Sequence, residues 1–277
     1  MPPVLPGMPC ITLLTDFGIT DSYVAEIKGV LLSTAPAATL VDVTHLVPPG
    51  DVRAGAYVLG RTWHRFPPGT THLAVVDPGV GSQRRPLALR TGDGRILVGP
   101  DNGLLLPAAD ERGGIDAAHE LANPEYALES VSRTFHGRDL FSPAAAHLAR
   151  GVSLDDLGPP IDPQALVRLD VPKPEVGQNR IRATVLYVDR FGNMQLNLTP
   201  GHLEQADVMP GVRVELEIAL ERYYAVAART FADARPGELI LYEDAYRNVS
   251  IAINGGSAAE MFGAGPGQEV RIDLRAP

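Results

Sequence analysis

The chain has 277 residues, 45% of them hydrophobic, enough for one large domain or two ordinary ones and too many for a disordered polypeptide. A formal net charge of −9 argues against nucleic acid or an anionic membrane as the main partner and agrees with a cytoplasmic protein. The single cysteine, Cys10, excludes an intramolecular disulfide and a cysteine-built zinc site.

Met1 to Pro9 has no basic region and no long apolar segment, so neither a secretory leader nor a membrane span is expected there. Cys10 to Thr15 is apolar and β-branched, a buried strand that ends at Asp16-Phe17-Gly18. Val24, Ile27, Val30 and Leu31 then recur at helical spacing, with Asp21 or Ser22 as N-cap and Pro36 as the stop. Thr39 to Thr44 is a second strand. Asp51 caps a second helix that carries Val52, Ala56, Leu59, Trp63 and Phe66 on one face. Leu73 to Val76 is a third strand, ending at Asp77, and Leu87–Leu89 and Ile96–Val98 suit two more. A helix is expected from about Asp139 to Arg150. The β-α-β-α-β alternation predicts an α/β domain with a mainly parallel central sheet and helices on both faces.

Composition shifts at Gly158–Gln178, which holds five prolines and two glycines. We expect an N-terminal domain over 1–165, a linker over 166–178 and a C-terminal domain over 179–277. Beyond the linker the hydrophobic period becomes two, over 181–188, 194–198, 212–218, 238–242, 249–253 and 270–274. Short strands separated by Gly/Pro turns predict an all-β antiparallel barrel or sandwich.

Asp16, Asp42 and Asp77 each follow or end a predicted parallel strand, and strand ends of one sheet share an edge where ligands bind, so at least two of the three are expected to line a common cleft. Val75 to Arg85 turns on Pro78, Gly79 and Gly81; it reads either as a ligand-binding edge or as a tight turn whose Asp satisfies its own backbone. Asp21 either caps the helix or joins Asp16 in accepting from hydroxyl or ammonium groups. Asp16-Phe17-Gly18 imitates a kinase motif without the companion motifs, and Gly79-Val80-Gly81 lacks the rest of a dinucleotide or P-loop. His136 stands either as a structural histidine or as a catalyst. The seven histidines offer no zinc-site spacing, so no metal is expected. Asp189-Arg190-Phe191-Gly192-Asn193 is a hairpin turn, or a stacking Phe191 beside an Asn193 that reads adenine.

Taken together, TDFG (15–18), VVDPGVGSQRR (75–85), VGPDNGLL (98–105), FHGRDLFSPAAAHLA (135–149), DRFGNMQLN (189–197) and IAINGGSAAE (251–260) run in one family's order. The chain resembles the S-adenosyl-L-methionine hydrolases (SAM hydroxide adenosyltransferases), relatives of the fluorinase and chlorinase. The resemblance implies an N-terminal α/β domain, a C-terminal β-barrel, and a homotrimer with active sites between neighbouring subunits. It implies hydrolysis of S-adenosyl-L-methionine to adenosine and L-methionine without a cofactor, and a triad at Asp77, Arg84 and His136. Substrate contacts carried over are Asp16 to the ribose, Asp21 and Asp189 to the methionine amino group, and Phe191, Asn193 and backbone near Asn254 and Gly255 to adenine. The fluorinase has tyrosine where this chain has Asp77 and a halide-binding serine where it has Gly137, which favours water as nucleophile. Relatives carry an aromatic where this chain has Gly50, so that wall beside the ribose is either missing or supplied by Tyr23 or Phe135. A serine that meets the methionine carboxylate in relatives aligns with Ala245, and backbone amides are expected there instead. The alternatives are a halogenase on the same scaffold and a non-catalytic adenosine- or S-adenosylmethionine-binding protein.

Overall fold

The computed structural model describes residues 8–111 and 113–274. Residues 1–7 of the N-terminal segment and 275–277 of the C-terminal domain lie outside the described residues. The chain divides into two compact units, Met1–Leu169 and Asp170–Pro277. The expected linker begins inside the first unit: Leu166 is buried there, and the Val167 N–H donates to Asp101.

The first unit contains β1 (Cys10–Thr15), α1 (Tyr23–Thr34), β2 (Thr39–Thr44), α2 (Val52–Thr62), β3 (Thr71–Val75), β4 (Pro86–Thr91), β5 (Ile96–Pro100), α3 (Leu106–Glu111), β6 (Ile115–Glu120), α4 (Ser142–Ala149) and α5 (Leu154–Leu157). Its sheet has the order β2-β1-β3-β5-β4-β6, and β4 alone runs against the other five. Ile11, Leu13, Leu73 and Val75 face Ile27 and Leu31 of α1 and the alanines of α4. Alternate positions face the other way, where His72 meets the Trp63 ring and Val76 meets Gly55 of α2. Both faces are therefore covered.

Asp51 caps α2 as expected, accepting from Ala54 N at 2.9 Å. At α1 Ser22 takes the N-cap position, but its hydroxyl donates to Glu26 at 2.7 Å instead of capping a backbone N–H. The expected helix at Asp139 begins as a π-helical turn, Gly137–Phe141, before α4 proper. β6 and α3, each only six residues long, escaped the sequence reading.

The second unit holds β7 (Glu175–Val176), β8 (Arg180–Val188), β9 (Met194–Leu196), α6 (Pro200–Gln205), β10 (Arg213–Ile218), β11 (Glu221–Ala228), β12 (Leu239–Glu243), β13 (Val249–Ile253), α7 (Ala258–Phe262) and β14 (Glu269–Asp273). Seven of these strands close a barrel through the β14–β8 pairing, with β7 added outside on β8. Each antiparallel pairing reverses direction, so seven strands cannot close by antiparallel pairings alone. The required parallel pairing is β11–β12, and its crossover is the loop between Ala228 and Leu239. Ile181, Ala183, Val214, Leu216, Leu239, Leu241, Val270 and Ile272 fill the interior.

β11 was not expected, and its turn explains why. Ala219 (φ 52°) and Leu220 (φ 70°) form the hairpin between β10 and β11, in a conformation that Asn and Gly usually announce. Sequence punctuation is absent there.

His72 is buried, and burial above all, helped by the Arg95 charge, pushes its pKa down from 6.5 to about 3. The unfolded chain therefore binds a proton that the fold refuses. This group's contribution to stability is present above about pH 6.5 and drains away as pH falls towards 3. We expect His72→Phe to flatten the loss of urea midpoint between neutral pH and about pH 5, even if it lowers the midpoint at neutrality. An unchanged acid slope would contradict the assignment.

Candidate active site

Strand register decides which acids reach the edge. Thr15 pairs with Val75, so Asp16 and Asp77 leave β1 and β3 at nearly one level on adjacent strands. Asp42 pairs with Leu13, lower in the sheet. Its carboxylate is taken by Lys28 at 2.7 Å and by His45 at 3.1 Å, so the two acids that line the cleft are Asp16 and Asp77.

After Val75 the chain turns with Val80 N donating to Asp77 O and Ser82 N to Gly79 O. Gly81 has φ 76°, and a Cβ there would lie 2.6 Å from Arg133 O, so only glycine fits. Asn102 supports the turn from β5, donating from Nδ2 to Val76 O at 2.9 Å. This gives the Gly99-Pro100-Asp101-Asn102 motif a structural job.

The turn brings Arg84 back onto Asp77. Arg84 Nε donates to both carboxylate oxygens at 3.0 Å, and Nη2 donates to Oδ2 at 2.5 Å. The same Nη2 lies 2.9 Å from His136 Nδ1. A guanidinium only donates, so Nδ1 is the acceptor and the neutral ring carries its proton on Nε2. Burial first, and the Arg84 charge second, push the His136 pKa below the ordinary histidine value, against the opposing carboxylates of Asp77 and Asp139. His136 is accordingly neutral at pH 7. The Asp77 and Arg84 side chains are only 5% and 10% exposed. A buried ion pair contributes little net stability compared with apolar side chains of the same volume, so stability does not explain this one.

The cleft beside Asp77 and His136 measures about 130 Å³ and also takes in Asp16, Gly50, Phe135 and Gly137, whereas Arg84 is not among its lining residues. Asp16 Oδ2 accepts from Gly50 N at 2.7 Å. Phe17, Tyr23 and Phe135 form a triangle of edge-to-face rings with centroids 5.1 to 6.2 Å apart. Of these, Phe17 and Phe135 line the cleft together with the small Gly50, and Tyr23 does not. Asp21 is exposed at the approach to α1 and does not line the cleft.

The second unit has its own pocket of about 680 Å³, lined by Asp189, Phe191, Asn193, Phe231, Gly255 and Ser257 among others. Asp189 Oδ1 accepts from Phe191 N and Asn193 N, and Oδ2 accepts from Asn193 Nδ2 at 2.8 Å. Because a carboxylate only accepts, the Asn193 amide must turn its NH₂ towards Asp189 and keep Oδ1 for a ligand. Phe191 is 76% exposed. Asn254 sits one step behind the pocket: its Nδ2 donates to Phe231 O and Ala234 O, and its backbone bonds to Glu238 and Gly237. It holds the β11–β12 crossover, which carries Phe231 onto the pocket. Sequence reasoning missed Phe231 because a single aromatic in an irregular loop has no periodicity to mark it.

Among the described residues, no cluster of three His, Cys, Asp or Glu side chains is arranged to hold a metal, and no helix is long and apolar enough to cross a membrane.

The chain is 48% identical over 264 residues to a protein of Salinispora arenicola named (R)-S-adenosyl-L-methionine hydrolase, covering 95% of this chain and 97% of that one. It is 30% identical to a fluorinase of an Actinoplanes species, covering 96% and 98%. A crystal structure of an uncharacterized conserved protein from Thermotoga maritima superposes with a TM-score of 0.89 at 34% identity, covering 95% of this chain and 99% of that one. Residues 11–158 match the SAM hydroxide adenosyltransferase N-terminal domain and residues 183–271 match the C-terminal domain. With both domains matched in order, one over the cleft of Asp77 and His136 and one over the barrel pocket, the chain belongs to the SAM hydroxide adenosyltransferase family.

Proposed function

We propose that this protein hydrolyses S-adenosyl-L-methionine to adenosine and L-methionine. The R sulfonium epimer is the one its 48%-identical relative is named for. The observation that carries the reading is Arg84 bridging Asp77 and His136, two side chains that line one cleft with Asp16.

A sulfonium leaves as a neutral thioether, so the reaction needs no general acid, and we assign it no metal and no cofactor. It needs one water, in line with C5′ and polarised. Neutral His136 has no free lone pair for that proton, since Nδ1 accepts from Arg84 and Nε2 is protonated. Asp77 does. A carboxylate has about four acceptor sites; Arg84 fills two on Oδ2 and one on Oδ1, leaving Oδ1 one site for the water. Arg84 then stabilises the hydroxide-like charge, and His136 keeps the guanidinium in place.

Asp16 takes the ribose hydroxyls with the lone pairs that Gly50 leaves, and Asp21 takes the methionine ammonium together with the last site of Asp189. The larger pocket suits the nucleoside: Phe191 and Phe231 flank the base, and Asn193 Oδ1 accepts from the 6-amino group of adenine. The smaller cleft suits only the reacting end. We further propose a cytoplasmic homotrimer in which the triad cleft of one copy meets the barrel pocket of the next, which would cover Phe191.

Water is favoured over halide as nucleophile by Gly137. A Cβ at this position would lie 2.9 Å from Phe17 Cζ, so a halide-binding side chain has no room unless the ring moves. Incubation in ¹⁸O-water is expected to give adenosine labelled at its 5′-hydroxyl, with no 5′-halogenated nucleoside in chloride or fluoride. A halogenated product would overturn the reading. Asp77→Asn and His136→Asn should lower kcat about 10²- to 10⁴-fold, with binding measured by calorimetry little changed.

Protonation of His136 would set a donor against Arg84. Because its pKa is depressed, we expect kcat/KM to hold steady through the ordinary histidine range and to fall only at lower pH. An acid limb at or above about pH 6.5 would contradict this.

The shared site is tested by mixing inactive copies. Co-expression of Asp77→Asn chains with Phe191→Ala chains is expected to restore part of the activity, since some interfaces then combine two intact halves. No restoration in mixed trimers would assign both halves to one chain.

A further inference from the structure

His136 stands directly before the π-helical turn Gly137–Phe141, a wide turn of a kind that appears mostly at functional sites. Four groups hold that turn. The Asp139 side chain is fully buried, and its carboxylate accepts from Ser132 N at 2.8 Å and from Arg138 Nε at 2.6 Å. Asp139 O accepts from Leu128 N, so the loop that delivers Phe135 and His136 is tied to the turn twice. Ser142 Oγ closes the turn by donating to Gly137 O at 2.7 Å.

Arg138 carries the connection outward. Its Nη1 donates to Glu26 Oε2 at 2.8 Å, and Glu26 Oε1 accepts from Ser22 Oγ at the start of α1. The Arg138 guanidinium also lies 4.9 Å from the centre of the Phe135 ring, which packs on Tyr23. One chain of charge-assisted bonds thus spans from the beginning of α1 to Asp139, three residues after His136. None of its members touches the triad.

We propose that Glu26, Arg138 and Asp139 form a positioning unit that aims His136 at Arg84 and holds Phe135 against the cleft. It acts by geometry and by charge. Arg84, Asp77 and Asp139 are the charged groups that act on His136, and Asp139 is the one among them outside the triad. The proposal rests on the hydrolase reading only for its kinetic part.

The test uses the full chain with Arg138→Gln, Arg138→Lys, Glu26→Gln and Asp139→Asn. Arg138 and Glu26 are a third exposed, so their variants fold even if buried Asp139→Asn does not. We expect Arg138→Gln to lower kcat by about 10²-fold, the scale of a small misplacement of catalytic groups, with KM little changed and partial rescue by Arg138→Lys. Nitrogen NMR of the His136 ring is the second readout. The unaltered protein is expected to show protonated Nε2 and accepting Nδ1; Arg138→Gln and Glu26→Gln should mix in the other tautomer, and Asp139→Asn should move its titration to lower pH. Ring signals identical to those of the unaltered protein in all variants would overturn the proposal. Failure of the unaltered protein to release adenosine would instead sink the hydrolase reading, and the ring signals would still decide this one.

Discussion

A guanidinium has five N–H donors and no acceptor, and the chemistry of the cleft follows from setting one between a carboxylate and an imidazole. Arg84 fixes three things at once. It uses up most of the acceptor sites on Asp77, it dictates which His136 nitrogen is bare, and its charge helps keep that ring neutral. The division of labour is then forced. On the proposed reading, Asp77 is left to receive a proton, and His136 is left to hold Arg84. A surface pair of the same groups would be solvated and mobile, with no such consequence; burial of both side chains makes the directions binding.

The fold supplies the arrangement by register and by parity. Adjacent parallel strands with Thr15 opposite Val75 bring Asp16 and Asp77 out side by side, and Asp42 stays behind because it pairs with Leu13. In the second unit, the odd number of barrel strands demands one parallel pairing, and a parallel pairing demands a crossover. The crossover between β11 and β12 carries Phe231 onto the pocket, and Asn254 secures it. An aromatic wall is thus a by-product of closing seven strands.

Much of this was legible in the residues. The change of hydrophobic period after the proline-rich stretch separates the α/β layer from the barrel, and the Asp51 cap and Pro36 stop delimit helices as their chemistry requires. What escaped has a common character. Ala219-Leu220 makes a hairpin with residues that do not signal one, so β11 was invisible. Asp42 looked equivalent to Asp16 and Asp77, because a strand end is visible in sequence and a register is not. Arg138, Asp139 and Glu26 were passed over because a network spanning 112 positions leaves no spacing to recognise.

Counting acceptor sites gives the three carboxylates at these pockets a shared logic. Asp16 gives one bond to Gly50 N, Asp77 gives three contacts to Arg84, and Asp189 gives three to its own loop. Each is held by donors of the protein before any ligand arrives, and each keeps at least one site unfilled. A carboxylate with no protein donors would rotate among hydration partners and lose orientation on binding. One with every site filled would have nothing to offer. The intermediate state fixes the direction of the remaining lone pair in advance, so that less ordering is left to be done when the ligand binds. The same donors fix Asn193, whose amide can face Asp189 in only one sense. On the proposed reading, specificity for a 6-amino base begins at an aspartate that need never touch the base.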